Sequence, residues 1–272
     1  MGSSTPTDRA GAARPAGPVQ VAAGIVQVAG SGLSHPWDGG AFLLTGPRPF
    51  LVDAGTPRGF DAVRRNLEAA GVRVEDLEAV IATHGHYDHV GAAARFAEHG
   101  VPLWIHGDDR DAVEQGDPVR TTAGLLYRTA FPPTRVGAEL FDGDDFDTGT
   151  QRLTVVHTPG HTPGSVCVLV EHLDRPPVLL AGDTLWGGWH PRVSCDLEIW
   201  ARSLERLTTL DFDGYTFGHG EARLSTGGPA RVSEALHRFG YYLDPWFVPP
   251  ADVVRLTGDP AQAEASPPTQ VA

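Results

Sequence analysis

The segment Thr83-His-Gly-His-Tyr-Asp-His-Val-Gly91 brings His84, His86, Asp88 and His89 within six residues of one another. Imidazole and carboxylate together suit zinc, iron or manganese. Side chains two apart on extended backbone point the same way, so His84 and His86 can grip one ion while Asp88 and His89 reach a second. Such a cluster is only a solvated turn unless other segments add ligands, and three more segments could. His157-Thr-Pro-Gly-His161-Thr-Pro-Gly164 places two histidines in a loop punctuated by Gly and Pro. Val178-Leu-Leu-Ala-Gly-Asp183 ends an apolar run with a carboxylate, and Tyr215-Thr-Phe-Gly-His219 ends another with an imidazole.

These residues need elements to hold them. Residues 77–82 read as a strand entering the first cluster, and residues 88–98 as a helix leaving it. Strands at 152–156 and 165–170 flank the His161 loop. Upstream, 19–28, 41–44 and 49–52 read as strands, followed by a helix over 57–70 with Thr56 as N-cap and Gly71 past its end. A short strand at 103–105 and helices at 108–114, 196–208 and 229–242 complete the pattern. Each candidate thus sits at a strand end, where layered α/β proteins build their sites.

On these motifs the chain resembles the metallo-β-lactamase superfamily, in its hydroxyacylglutathione-hydrolase-like branch. The pattern His-x-His-x-Asp-His falls on His84, His86, Asp88 and His89; Pro-Gly-His-Thr-x-Gly on His161; Gly-Asp-Thr on Asp183; and Gly-His on His219. The resemblance covers residues 19–220. It implies a four-layer αββα sandwich, an α/β fold in one catalytic domain over 19–257, with the helix near 229–242 packed on it. It also implies one metal held by His84, His86 and His161, a second held by Asp88, His89 and His219, and Asp183 bridging them. A Val-Asp-x-Gly turn at Val52–Gly55 matches as well and casts Asp53 as a group that orients the metal loop rather than a ligand. His157 is a further candidate for that supporting role. Trp186, Trp189 and His190 follow Asp183 directly and could wall a substrate pocket. Tyr87 is expected to pack beside the loop, and Thr162 and Ser165 to shape theirs.

The chemistry expected of such a ligand set is hydrolytic. Two cations ~3.5–4 Å apart can bridge a water and lower its pKa from about 15.7 toward 7, so that a metal-bridging hydroxide attacks the carbonyl of an ester, thioester or lactone. Asp88 has a second role in this scheme, orienting the nucleophile and passing its proton. The expected cofactors are two divalent ions, zinc first, with iron or manganese also suiting a cysteine-free site; the expected partner is a small-molecule substrate. The resemblance leaves three other readings. One is an iron-dependent persulfide dioxygenase-like enzyme using His84, His161 and Asp183; the others are a β-lactamase and a non-catalytic metal-binding regulator. Against the β-lactamase, enzymes of that activity and fold normally lack a bridging aspartate at the place of Asp183. Against a glutathione substrate, the segment after His219 is short and carries no lysine.

Composition narrows the field further. The net charge of -13, with no lysine and 21 scattered arginines, excludes a broad nucleic-acid surface. Small anionic substrates stay compatible, because two cations would make the site locally positive. No run approaches the ~18 apolar residues of a membrane helix, so a cytoplasmic enzyme is expected. The 272 residues form one domain in this reading, flanked by disordered ends at 1–18 and 258–272. Cys167 and Cys195 make no disulfide framework; the first reads as core and the second as the start of a helix. The aromatic string over 239–247 would either close the pocket or form a homo-oligomer contact.

Overall fold

Consecutive apolar residues in this chain become strands buried on both faces, which is why they read as runs rather than as polar–apolar alternation. The computed structural model describes residues 17–239 except Ser31 and Trp186, with backbone alone for 238 and 239. One seven-stranded sheet contains, in order, β1 (Val19–Ala22), β2 (Ile25–Ala29), β3 (Ala41–Leu44), β4 (Phe50–Val52), β5 (Val80–Ile81), β6 (Leu103–His106) and β7 (Val136–Leu140). A five-stranded sheet contains β8 (Asp145–Asp147), β9 (Arg152–His157), β10 (Val166–His172), β11 (Arg175–Leu180) and β12 (Gly214–Thr216), again as neighbours in chain order.

Side-chain alternation sorts these strands into three cores. Phe42, Leu44, Phe50, Val52 and Ile81 meet Leu153, Val155, Val166, Val168 and Leu180 between the sheets. The opposite faces turn outward onto helices. Leu43, Leu51 and Val80 pack with Phe60, Val63 and Leu67 of α1 (Phe60–Ala69) and Phe96 of α3 (Ala93–Glu98), which follows the single turn α2 (Tyr87–Val90). Cys167 and Leu179 pack with Trp200 and Leu204 of α5 (Leu197–Leu207) and Val232 of α6 (Gly228–Phe239). Between α3 and α5, α4 (Gly107–Gln115) follows β6 directly. Helix, sheet, sheet, helix is the expected αββα arrangement.

Several expected bounds shift for local reasons. The single strand over 19–28 is a hairpin, because Ala23 and Gly24, the latter at φ +70°, turn the chain between β1 and β2. Thr56 does not cap α1; its hydroxyl and backbone N–H both donate to Asp38 Oδ1, at 2.6 and 2.8 Å, and the helix starts at Phe60 after Gly59. The helix over 88–98 is broken into α2 and α3 at Gly91 and Ala92. Cys195 lies ahead of α5, whose N-cap is Asp196, and α6 is described only to Phe239. The strands β7, Val-Gly-Ala-Glu-Leu, and β8, Asp-Phe-Asp, had no strand reading. The expected disordered ends, Gly17 and Pro18 apart, and the aromatic string past Phe239 lie outside the described residues. No described helix is long and apolar enough to cross a membrane.

The strand directions make the site. β4, β5 and β6 run parallel, as do β11 and β12, while β9 and β11 flank β10 antiparallel to it. The C-terminal ends of β4, β5, β9, β11 and β12 therefore open on one edge of the sandwich. Val166 N–H donates to Thr83 O at 2.8 Å and joins the two sheets there.

Candidate metal centre

Each predicted ligand leaves that edge from a strand end. β5 releases Thr83 to His89, β9 leads to His161, β11 to Asp183 and β12 to His219. All seven side chains converge in three overlapping groups, His84/His86/His161, His84/His89/Asp183 and Asp88/His89/His219, whose ligand atoms lie within 4.8 Å of one another. The first and third are the two triads expected from the resemblance. Asp183 stands between them, with Oδ2 at 3.4 Å from His161 Nε2 and 3.3 Å from His219 Nε2, and Oδ1 at 3.3 Å from His89 Nε2. Close approach at this point needs glycine: a Cβ on Gly218 would overlap Asp183 Oδ1.

Supporting groups aim the rings. Asp53, 1% exposed and held at φ +60°, accepts from Thr83 N–H at 2.8 Å through Oδ1 and faces His89 Nδ1 at 2.8 Å through Oδ2. The Thr83 hydroxyl donates to Asp53 Oδ2 at 2.8 Å and lies 3.0 Å from His84 Nδ1. His161 Nδ1 lies 3.0 Å from the carbonyl of Gly188. With one nitrogen of each ring engaged in this way, the other is free to face inward, the usual arrangement around metal-binding imidazoles.

Burial and charge divide the cluster. Burial, helped by neighbouring imidazoles, holds His84 and His86 well below the usual histidine range, and burial lowers His161 too. At His89 burial also opposes charge, but Asp183, Asp88 and Asp53 outweigh it and raise the ring well above its ordinary value. His219 is raised to about 10 against its burial by Asp183 and Asp88. Their partners move the other way: despite burial, His89 and His219 lower Asp88 to about 2 and bring Asp183 well below the carboxylate range.

The donor set fits a divalent cation. His84 Nε2 and His86 Nε2 are buried without any hydrogen-bond partner, and His86 Nδ1 faces His161 Nε2 at 2.9 Å. A buried acceptor left unpaired costs about 1–3 kcal/mol, which an ion at that point would offset.

The remaining predicted positions lie elsewhere or do other work. His157 faces outward from the cluster, stacked on His106 with centroids 3.9 Å apart and its Nε2 3.0 Å from Pro163 O. Trp189 Nε1–H donates to Cys195 O at 2.8 Å, and the partly buried ring packs on the outer core. His190 closes a turn, its Nδ1 accepting from Arg192 N–H at 3.2 Å. Trp186 lies outside the described residues. Tyr87 packs against Tyr127, and Thr162 and Ser165 bond within their loop, as expected.

Sequence reasoning passed over Thr83, Asp109 and Tyr127. Thr83 was legible, since it opens the first motif. Tyr127 was not: it comes from the irregular stretch between α4 and β7 and packs on Trp37 and Tyr87 at 5.5 and 5.2 Å. Burial and the Asp88 charge raise its pKa, so the hydroxyl stays a donor.

Comparison with known proteins agrees with this geometry. The family model described as the metallo-beta-lactamase superfamily matches residues 41–219. A probable metallo-hydrolase of Methanocaldococcus jannaschii is 28% identical over 56% of this chain and 69% of its own length. The acyl-coenzyme A thioesterase MBLAC2 of Gallus gallus is 30% identical over 52% of this chain and 55% of its own length. Among solved structures, a motif mutant of a metallo-beta-lactamase from Cronobacter sakazakii superposes with TM-score 0.68 at 25% identity, covering 83% of this chain and 94% of that one. BJP-1, a subclass B3 metallo-beta-lactamase of Bradyrhizobium japonicum, gives 0.67 at 20% identity, covering 82% and 92%. The second likeness is one of fold alone. The chain spans about half to two thirds of the length of the curated relatives it matches.

Proposed function

The chain belongs to the metallo-beta-lactamase superfamily, and we propose on that footing that it is a dinuclear metal-dependent hydrolase of small-molecule esters, thioesters or lactones. The observation that carries the reading is the convergence of seven side chains, two triads with Asp183 between them. His84, His86 and His161 would hold one ion, Asp88, His89 and His219 the other, with Asp183 between. Bound there, two divalent ions supply an acidified water and a polarised carbonyl at neutral pH. Zinc is the first candidate, since nitrogen and carboxylate oxygen are its common ligands in such sites.

The chain's own groups do the rest. Asp53 and Thr83 fix the rings of His89 and His84, so the ligands need no reorganisation. Asp88, held ionised, can accept a proton at its carboxylate. Thioesters come first among the substrates because a thioesterase stands among the relatives. The likeness to β-lactamases is carried by the fold.

The test is elemental analysis of protein purified without added metal, followed by assay on acyl thioesters, lactones and aryl esters. We expect two ions per chain and hydrolysis that chelation abolishes and zinc restores. Full activity in stripped protein would overturn the proposal.

A further inference from the structure

His84 and His86 come from one sheet and His161 from the other, so the width of their triad depends on what joins two loops across the sandwich. Asp109, in the first turn of α4, reaches both. Its carboxylate is buried, with the residue 4% exposed. Oδ2 accepts from the backbone N–H of Gly85, between the two histidines, at 2.8 Å and from the Thr162 hydroxyl at 2.7 Å; Oδ1 accepts from Gly164 N–H at 3.1 Å. Thr162 spends its proton on Asp109, so the Ser165 hydroxyl, 2.9 Å away, must donate to Thr162, and it in turn accepts from Thr162 N–H at 3.0 Å. The approach depends on small neighbours: a Cβ on Gly164 would lie 2.7 Å from Asp109 Cγ, and one on Gly85 3.3 Å from Asp109 Cβ. Both motif glycines are therefore where this carboxylate enters. Three donors aimed at one carboxylate near a helix N-terminus make a strong, charge-assisted junction.

We infer that Asp109 is a positioning residue that sets the spacing of His161 against His84 and His86, and so governs the affinity of the three-imidazole half for its ion. The inference rests on the metal-holding reading above, but concerns one half only. In Asp109→Asn the size is kept, yet either orientation of the amide turns an NH2 toward a donor now served by an oxygen. The variant therefore separates acceptor geometry from space filling.

The test is stepwise Zn²⁺ affinity of the full chain by competition with a chromophoric chelator, alongside thermal unfolding. For Asp109→Asn and Asp109→Ala we expect one zinc equivalent to weaken by about 10–100-fold, the range for groups that orient ligands, and the other to stay within about threefold. Asp111→Asn, on the exposed side of the same helix, should match the parent. Thr162→Val, which removes one donor and leaves Asp109 in place, should weaken the same equivalent severalfold, and decides the matter if the Asp109 variants do not fold. Unchanged affinity in Thr162→Val, rescue by Asp109→Asn, or equal weakening of both equivalents would overturn the inference. A parent chain that binds no zinc would overturn the proposed function along with it.

Discussion

Where His84, His86 and His161 meet, burial keeps three imidazoles neutral; where Asp88, His89 and His219 meet, the carboxylates overcome the same burial and hold two imidazoles charged. The residue type is one, and its state is set by its neighbours. His84 has a threonine hydroxyl behind it, whereas His89 has Asp53 behind it and Asp183 and Asp88 in front. The neutral half presents lone pairs ready for a cation. The charged half must lose protons before it can bind one, and ties binding there to pH.

Asp183 belongs to both halves, so removing it should do the most damage. In Asp183→Ala we expect metal content to fall below two per chain and turnover to drop well beyond the roughly 10–100-fold typical of an orienting group; elemental analysis with kinetics checks both. His86→Ala should empty the neutral half first, leaving the charged half able to bind. Loss of both ions together in that variant would show that the halves are not separable.

Asp53→Asn sharpens the contrast from the other side. It removes one of the charges that keep His89 protonated, and an amide, with one oxygen where the carboxylate uses two, cannot hold both Thr83 N–H and the His89 ring. We expect metal affinity of the charged half to fall by about 10–100-fold, with proton release on binding reduced as well. A similar loss confined to the neutral half would contradict the division.

The pH dependence follows from the directions of shift. His84, His86 and His161 have lowered values, so near pH 7 they bind a cation without releasing protons. His89 is raised and His219 lies at about 10, so both are protonated in the metal-free chain and each must give up its proton. Affinity of the charged half should therefore rise with pH toward about 10, by about tenfold per unit for each proton displaced. Calorimetric zinc titration in two buffers of different ionisation enthalpy reads this directly. Equal proton release for both equivalents would sink it.

The smallest effect is expected away from the site. Trp189→Phe loses one hydrogen bond to Cys195 O and should cost about 1 kcal/mol of stability without altering metal content. A change in metal content would return Trp189 to the pocket wall where its place after Asp183 first put it.

How much of this was legible depended on distance along the chain. The seven converging residues were, because four crowd one short motif and His161, Asp183 and His219 each follow a strand-like run in a motif of the family the chain resembles, and the layers were, because such runs need cover on both faces. The division into a neutral and a charged half was not: it comes from contacts such as His219 to Asp88 and Asp183, which only the closed sandwich creates. Asp109 looked like an ordinary acidic residue in a first helical turn, since its partners lie 24 to 55 residues away. His157 carried a misleading signal. It shares a loop with His161, but it ends β9 on the side where His106 stacks against it.

The most direct measurement is anomalous diffraction at the zinc edge from crystals grown with zinc. Two peaks are expected, one within coordination distance of His84, His86 and His161 and one of Asp88, His89 and His219, each also in reach of Asp183. A single peak outside that cluster, or none at saturating zinc, would contradict it.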